Sequence, residues 1–101
     1  MVRLEGELDF GSVPRFDGAM ATIASDERLF VDLRSLEFID SAGLGALVRL
    51  HARMAAGGGT LSCVVLPQSM ARRLFEVTGL DDLFGLVDTS PDDGSAAGGG
   101  P

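Results

Sequence analysis

The chain has 101 residues, 46% of them hydrophobic, and a net charge of −7 at pH 7, which describes one acidic domain with room for one modest core. Its eight basic residues other than His51 are all Arg; this excludes lysine-based catalysis, and the net charge argues against direct nucleic-acid binding, which needs clustered positive charge. No apolar run approaches the ~20 residues of a membrane span, and the charged start, Met1-Val2-Arg3-Leu4-Glu5, is unlike a signal peptide, so a cytoplasmic location is expected.

Taken in chain order, Val2 to Leu8 alternates apolar and polar residues and is expected to be a half-buried strand. Gly6-Glu7-Leu8-Asp9 closes it. Ser12-Val13-Pro14 opens a helix, Pro14 standing in the first turn where its missing N–H costs nothing. Phe16, Met20 and Ile23 carry that helix over 13–24. Arg28 to Leu33 is apolar enough for a central strand, and Arg34-Ser35-Leu36-Glu37 reads as the loop after it. Ala42 to Ala56 is the main helix, with Leu44, Leu47, Val48, His51 and Met54 near one face; Gly57-Gly58-Gly59 stops it. Thr60 to Leu66 is the next strand and contains the single cysteine, Cys63, expected to be a reduced core residue. Pro67-Gln68-Ser69 begins a third helix, ended by Thr78-Gly79-Leu80, and Leu83 to Val87 is a short last strand. The order β-α-β-α-β-α-β implies an α/β fold with a largely parallel sheet and right-handed crossovers. Residues 1–88 form the domain. The stretch from Thr89 to Pro101 has no large apolar side chain and is expected to be a disordered tail.

With few aromatics and no Trp or Tyr, the core is left to Leu, Val, Ile, Ala and Met. Candidate chemistry is sparse. His51 lies ten residues from Ser41 along one helix, ~15 Å of rise, too far for proton transfer. No Gly-x-Ser-x-Gly elbow is present, no second His or Cys stands at metal-ligand spacing, and the three glycines precede no Gly-Lys-Ser/Thr. Asp81-Asp82 and Asp92-Asp93 read as solvated loop charge. An aspartate-phosphorylated receiver domain would need a late lysine, which is missing. No enzyme activity, cofactor or metal is expected.

The informative segment is Phe38-Ile39-Asp40-Ser41-Ala42-Gly43-Leu44-Gly45. Ser41 stands where a strand's exit turns into a helix. It is expected at the N-cap, as an ordinary cap or as a point where a phosphate would meet free N–H groups.

Four segments resemble STAS-domain anti-sigma factor antagonists of bacteria: Gly6-Glu7-Leu8-Asp9; Val31-Asp32-Leu33 through Gly45; Gly57-Gly58-Gly59-Thr60-Leu61; and Arg73-Leu74-Phe75-Glu76-Val77-Thr78-Gly79-Leu80. The resemblance implies a mostly parallel mixed sheet of about four strands with helices packed against it. It implies phosphorylation of Ser41 by a partner kinase that is itself the anti-sigma factor, release of the sigma factor by the unphosphorylated chain, and reset by a PP2C-type phosphatase. The partner surface it implies comprises Asp9, Asp40, Ser41, Ala42, Gly43, Leu44 and Gly45, with the N–H groups of Gly43 and Leu44 expected to receive the phosphate. Two departures from the family pattern stand out. About ten residues of a strand that usually precedes Gly-Glu-Leu-Asp are absent, so that either the chain's start is late or the sheet lacks an edge strand and Val2 to Leu8 is exposed at the edge, and Ala42 stands where Ser or Thr is common. The alternative is a STAS scaffold subunit of a larger assembly, a transporter or stress-signalling complex, that works without phosphorylation. A small enzyme or nucleotide-binding domain of similar shape is the third reading.

Overall fold

In a computed structural model the chain is described over residues 1–89. The elements are β1 (Val2–Leu8), α1 (Val13–Met20), β2 (Arg28–Ile39), α2 (Ser41–Ala56), β3 (Thr60–Val64), α3 (Met70–Thr78), a 3-10 turn (Leu80–Asp82) and β4 (Gly85–Val87). The tail expected from Thr89 onward, with Asp92-Asp93, falls beyond Thr89 outside the described residues.

The four strands form one sheet in the order β1-β2-β3-β4, and all three pairings are parallel. No antiparallel strand accompanies them among the described residues, so the expected four-stranded α/β sheet is here parallel rather than mixed. Parallel neighbours need a crossover, and each is supplied by one helix. The loops that leave β1, β2 and β3 therefore emerge at the same, carboxyl edge of the sheet. This places the β1–α1 turn beside the start of α2.

The periodicities of the sequence pack as one core. Leu8, Leu29, Val31, Leu33, Leu61, Cys63 and Val65 from the sheet meet Phe16 and Met20 of α1, Leu44, Leu47, Leu50 and Met54 of α2, and Ala71 and Phe75 of α3. Each such side chain contributes roughly 1.5–3 kcal/mol when fully buried. Cys63 is fully buried, and burial pushes its thiol up to about 12. Between Val31 and Leu33, Asp32 points to the opposite face of the sheet, yet is only 1% exposed. Arg34 satisfies it through Nε at 3.0 Å and Nη2 at 2.8 Å, with Arg3 Nε 3.7 Å away. The Arg34 guanidinium holds this carboxyl below the usual carboxylate range.

Several boundaries differ from the sequence expectation. The segment Arg34–Glu37, read as a loop, continues β2 as far as Ile39. Its partner is the second half of β1: Glu5 pairs with Ser35, Gly6 with Leu36, Glu7 with Phe38 and Leu8 with Ile39. The register slips twice along this pairing, each time admitting one extra β2 residue, and such bulges break the clean alternation by which strands are recognised. The first helix ends at Met20, not at residue 24: the Thr22 and Ile23 N–H groups turn back to the carbonyls of Ala19 and Met20, three residues earlier, and Arg53 of α2 donates to the carbonyls of Met20 and Ile23 at 2.7 and 2.9 Å. β3 stops at Val64, two residues short of Leu66. α3 begins at Met70 behind an N-cap, Ser69, that accepts from the Arg72 N–H at 3.1 Å. It ends at Gly79 with φ of 75°, a left-handed conformation suited to glycine. The last strand is shortened to Gly85–Val87 by the 3-10 turn before it.

Candidate functional site

The site is the junction of two loops at the carboxyl edge of the sheet, and one side chain joins them. Asp40 follows β2 with extended backbone and is the N-cap of α2. Its Oδ1 accepts from the Gly43 N–H at 2.9 Å, and its Oδ2 accepts from the Phe10 N–H in the β1–α1 loop at 3.2 Å. Its own N–H donates to the Leu8 carbonyl at 3.3 Å. Asp40 thus closes the helix start and fastens the neighbouring loop to it. The Gly43 N–H, with those of Phe10 and Ala42, holds the Asp40 carboxyl below its ordinary value.

This corrects the expected place of Ser41. It is not the cap but the first residue of the helix, and its side chain is exposed. Among the described hydrogen bonds none uses its hydroxyl. The N–H groups expected to receive a phosphate are both engaged, Gly43 by the Asp40 carboxylate and Leu44 by the Asp40 carbonyl at 2.9 Å.

The two glycines of the motif are not equivalent. Gly43 is buried against the end of β1: an added Cβ would overlap the Leu8 carbonyl oxygen and lie 2.8 Å from its carbon and 2.9 Å from Leu8 Cγ. At Gly45 a Cβ would meet only Arg49 Nη1, at 3.7 Å. Leu44 is buried in the core, while Ala42 and Gly45 are half-buried.

Asp9 turns to its own loop. Its Oδ1 accepts from the Ser12 N–H at 3.0 Å, its N–H donates to Ser12 Oγ at 2.9 Å, and that hydroxyl donates to the Glu7 carbonyl at 2.9 Å. The result is a β1–α1 turn with a fixed backbone. Phe10, between these anchors, is 82% exposed. Sequence reasoning passed over Phe10; the available signal was an aromatic residue that fits neither the strand alternation before it nor the helix spacing after it.

Little else in the described residues offers chemistry. His51 packs edge-on against Phe84, ring centroids 5.5 Å apart, and no group of three or more His, Cys, Asp or Glu side chains is placed to hold a metal among the described residues. No described helix is long and apolar enough to cross a membrane. What the junction offers is an exposed hydroxyl on a rigid acidic edge.

A STAS-domain family model matches residues 1–93. The chain is 31% identical over 85 residues to the anti-sigma-B factor antagonist of Staphylococcus aureus, covering 82% of this chain and 78% of that protein. It is 30% identical over 86 residues to the protein of the same name from Bacillus subtilis, covering 84% and 78%. Among solved structures, an anti-sigma factor antagonist from Mycobacterium paratuberculosis superposes with a TM-score of 0.75 at 30% identity, covering 94% of this chain and 80% of that one. With the sheet order, the helix start and these matches in agreement, the chain belongs to the STAS-domain family that includes the anti-sigma factor antagonists.

Proposed function

We propose that this protein is an anti-sigma factor antagonist switched by phosphorylation of Ser41. In the unphosphorylated form it binds an anti-sigma factor serine kinase in the bacterial cytoplasm, and the sigma factor held by that kinase is released. It is a binding protein rather than an enzyme. Its similarity to anti-sigma factor antagonists supports the class of function. The observation that carries the switch is the exposed Ser41 at the first position of α2, relieved of capping by Asp40.

The chemistry is supplied by the partner. The Ser41 Oγ attacks the γ-phosphorus of ATP held by the kinase. The bond from that phosphorus to the β–γ bridging oxygen breaks, ADP leaves, and the hydroxyl proton passes to a base on the kinase. The product carries about −1.5 to −2 further charges at pH 7. Since Asp40 already occupies the Gly43 N–H and the first helical bond uses that of Leu44, the phosphate remains on the surface beside a carboxylate. Against the phosphates of the nucleotide held by the kinase this is added like charge, which costs affinity by roughly tenfold or more. The helix need not refold. A PP2C-type phosphatase hydrolyses the ester and restores binding.

The test is phosphopeptide mass spectrometry on the protein from its native cells beside a Ser41→Ala control, together with recovery of the kinase on each form. A phosphate on Ser41, retention of the kinase by Ser41→Ala and its loss by Ser41→Asp are expected. Equal binding by the two variants would sink the switch. The outer edge of β1, which has no strand partner among the described residues, favours the second reading, a scaffold subunit. A stable complex indifferent to Ser41 substitution would establish it.

A further inference from the structure

We infer that Phe10 and Phe38 are the apolar anchors by which this chain grips the kinase that modifies Ser41. The inference rests on the function proposed above. The chain has six phenylalanines. Phe16, Phe75 and Phe84 are buried in the core and Phe30 is half-buried. The two exposed ones are Phe10, at 82%, and Phe38, at 43%. Both lie at the Asp40–Ser41 turn: Phe38 is two residues before Asp40 and pairs in register with Glu7, and the Phe10 N–H is bonded to Asp40 Oδ2.

A single exposed apolar side chain is ordinary. What distinguishes these two is their joint position and their support. Phe38 stands on a paired strand. Phe10 stands on a turn held by the Asp40 carboxylate and by the reciprocal bonds of Asp9 and Ser12. An aromatic ring on a fixed backbone loses little freedom on binding, and aromatic residues are enriched at the cores of protein interfaces. Glu7, the register partner of Phe38, and Asp9, next to Phe10 in the chain, add carboxylates to this region, on a chain of net charge −7. The complementary surface is an apolar pocket beside the kinase's bound nucleotide. A phosphate on Ser41 would enter that same contact, so anchoring and switching share one surface. Asp40 is then a positioning residue: it touches no partner atom in this scheme but holds Phe10 in place.

The experiment uses the full chain as substrate in a lysate of its native cells, with labelled ATP, and reads the initial rate of label transfer to Ser41. Five forms are compared: wild type, Ser41→Ala, Phe10→Ala, Phe10→Tyr and Val77→Ala. Val77 is 76% exposed near the end of α3, an element that contributes nothing to the β1–α1 and β2–α2 loops, and controls for loss of exposed apolar area as such. Wild type and Val77→Ala are expected to label equally and Ser41→Ala not at all. Phe10→Ala should label roughly tenfold more slowly or worse at limiting substrate, and Phe10→Tyr should recover most of the rate. Because the Phe10 side chain is largely in solvent, its melting temperature should be unchanged. Labelling of a folded Phe10→Ala at the wild-type rate overturns the anchor while leaving the proposed function intact. Absence of label on wild-type Ser41 overturns the proposed function and the anchor with it.

Discussion

Gly43 and Gly45 stand two residues apart in the first turns of α2, and replacing each with alanine should change stability in opposite directions. Alanine in a helix is favoured over glycine by roughly 0.5–1 kcal/mol. At Gly45 nothing opposes that gain, since the new methyl group would meet only the movable end of Arg49, at 3.7 Å. At Gly43 the methyl group would overlap the Leu8 carbonyl oxygen and crowd its carbon at 2.8 Å. Two of those atoms are backbone of a paired strand and cannot rotate away. Overpacking of this kind costs about 1–3 kcal/mol, and contact with backbone places it at the upper end. Moving the helix outward also lengthens the bond from the Asp40 N–H to the Leu8 carbonyl, already 3.3 Å. The net expectation is a loss of about 2 kcal/mol for Gly43→Ala, or roughly 8–16 °C in melting temperature for a domain of this size. Gly45→Ala should gain a few degrees. Thermal and urea unfolding of the three proteins measures both, provided the urea slope is unchanged. Two stabilised variants, or two equal ones, would refute the close approach of α2 to the end of β1.

Asp32→Asn keeps the volume of a buried side chain but removes the charge that Arg34 binds, so a loss of about 1.5–3 kcal/mol is expected at neutral pH. The folded Asp32 and Asp40 carboxyls titrate below the ordinary value of about 3.9 kept by the unfolded chain. On acidification the unfolded state therefore binds protons first, and wild-type stability falls as pH drops through the folded-state values. The gap to Asp32→Asn should narrow over that same acid range; a gap independent of pH would contradict the Arg34 pairing. Cys63, fully buried with its thiol raised to about 12, should resist a thiol reagent at pH 8 in the native protein and react at once in denaturant, whereas native reaction at the rate of a free thiol would show that β3 is not covered.

Much of the architecture was legible in the sequence because two periods, near two and near 3.6, record which side chains face the core. Leu29, Val31 and Leu33 alternate, and Leu44, Leu47 and Met54 recur at helical spacing; both sets are buried together. The glycine run after α2 and Gly79 after α3 marked helix ends for the conformational reason that places glycine there. The motif from Phe38 to Gly45 was visible as a strand exit meeting a helix start. What the periods do not record is pairing between distant segments. Arg34 to Glu37 reads as a loop until β1 lies beside it, because the hydrogen bonds that make it a strand come from residues thirty positions away. The carbonyls at and beyond the end of α1 find a partner in Arg53, thirty or more residues further on. The division of labour at the helix start was likewise hidden. Asp40 and Ser41 are both good cap residues, and local sequence cannot choose between them. The choice falls to Asp40 because its carboxylate bonds Gly43 at one oxygen and the Phe10 N–H of the adjacent loop at the other. Sequence determined that a hydroxyl would stand near the start of α2. Only the tertiary structure decided that this hydroxyl is free of the cap, since a cap is a hydrogen bond and its partners are settled by which loops the sheet brings together.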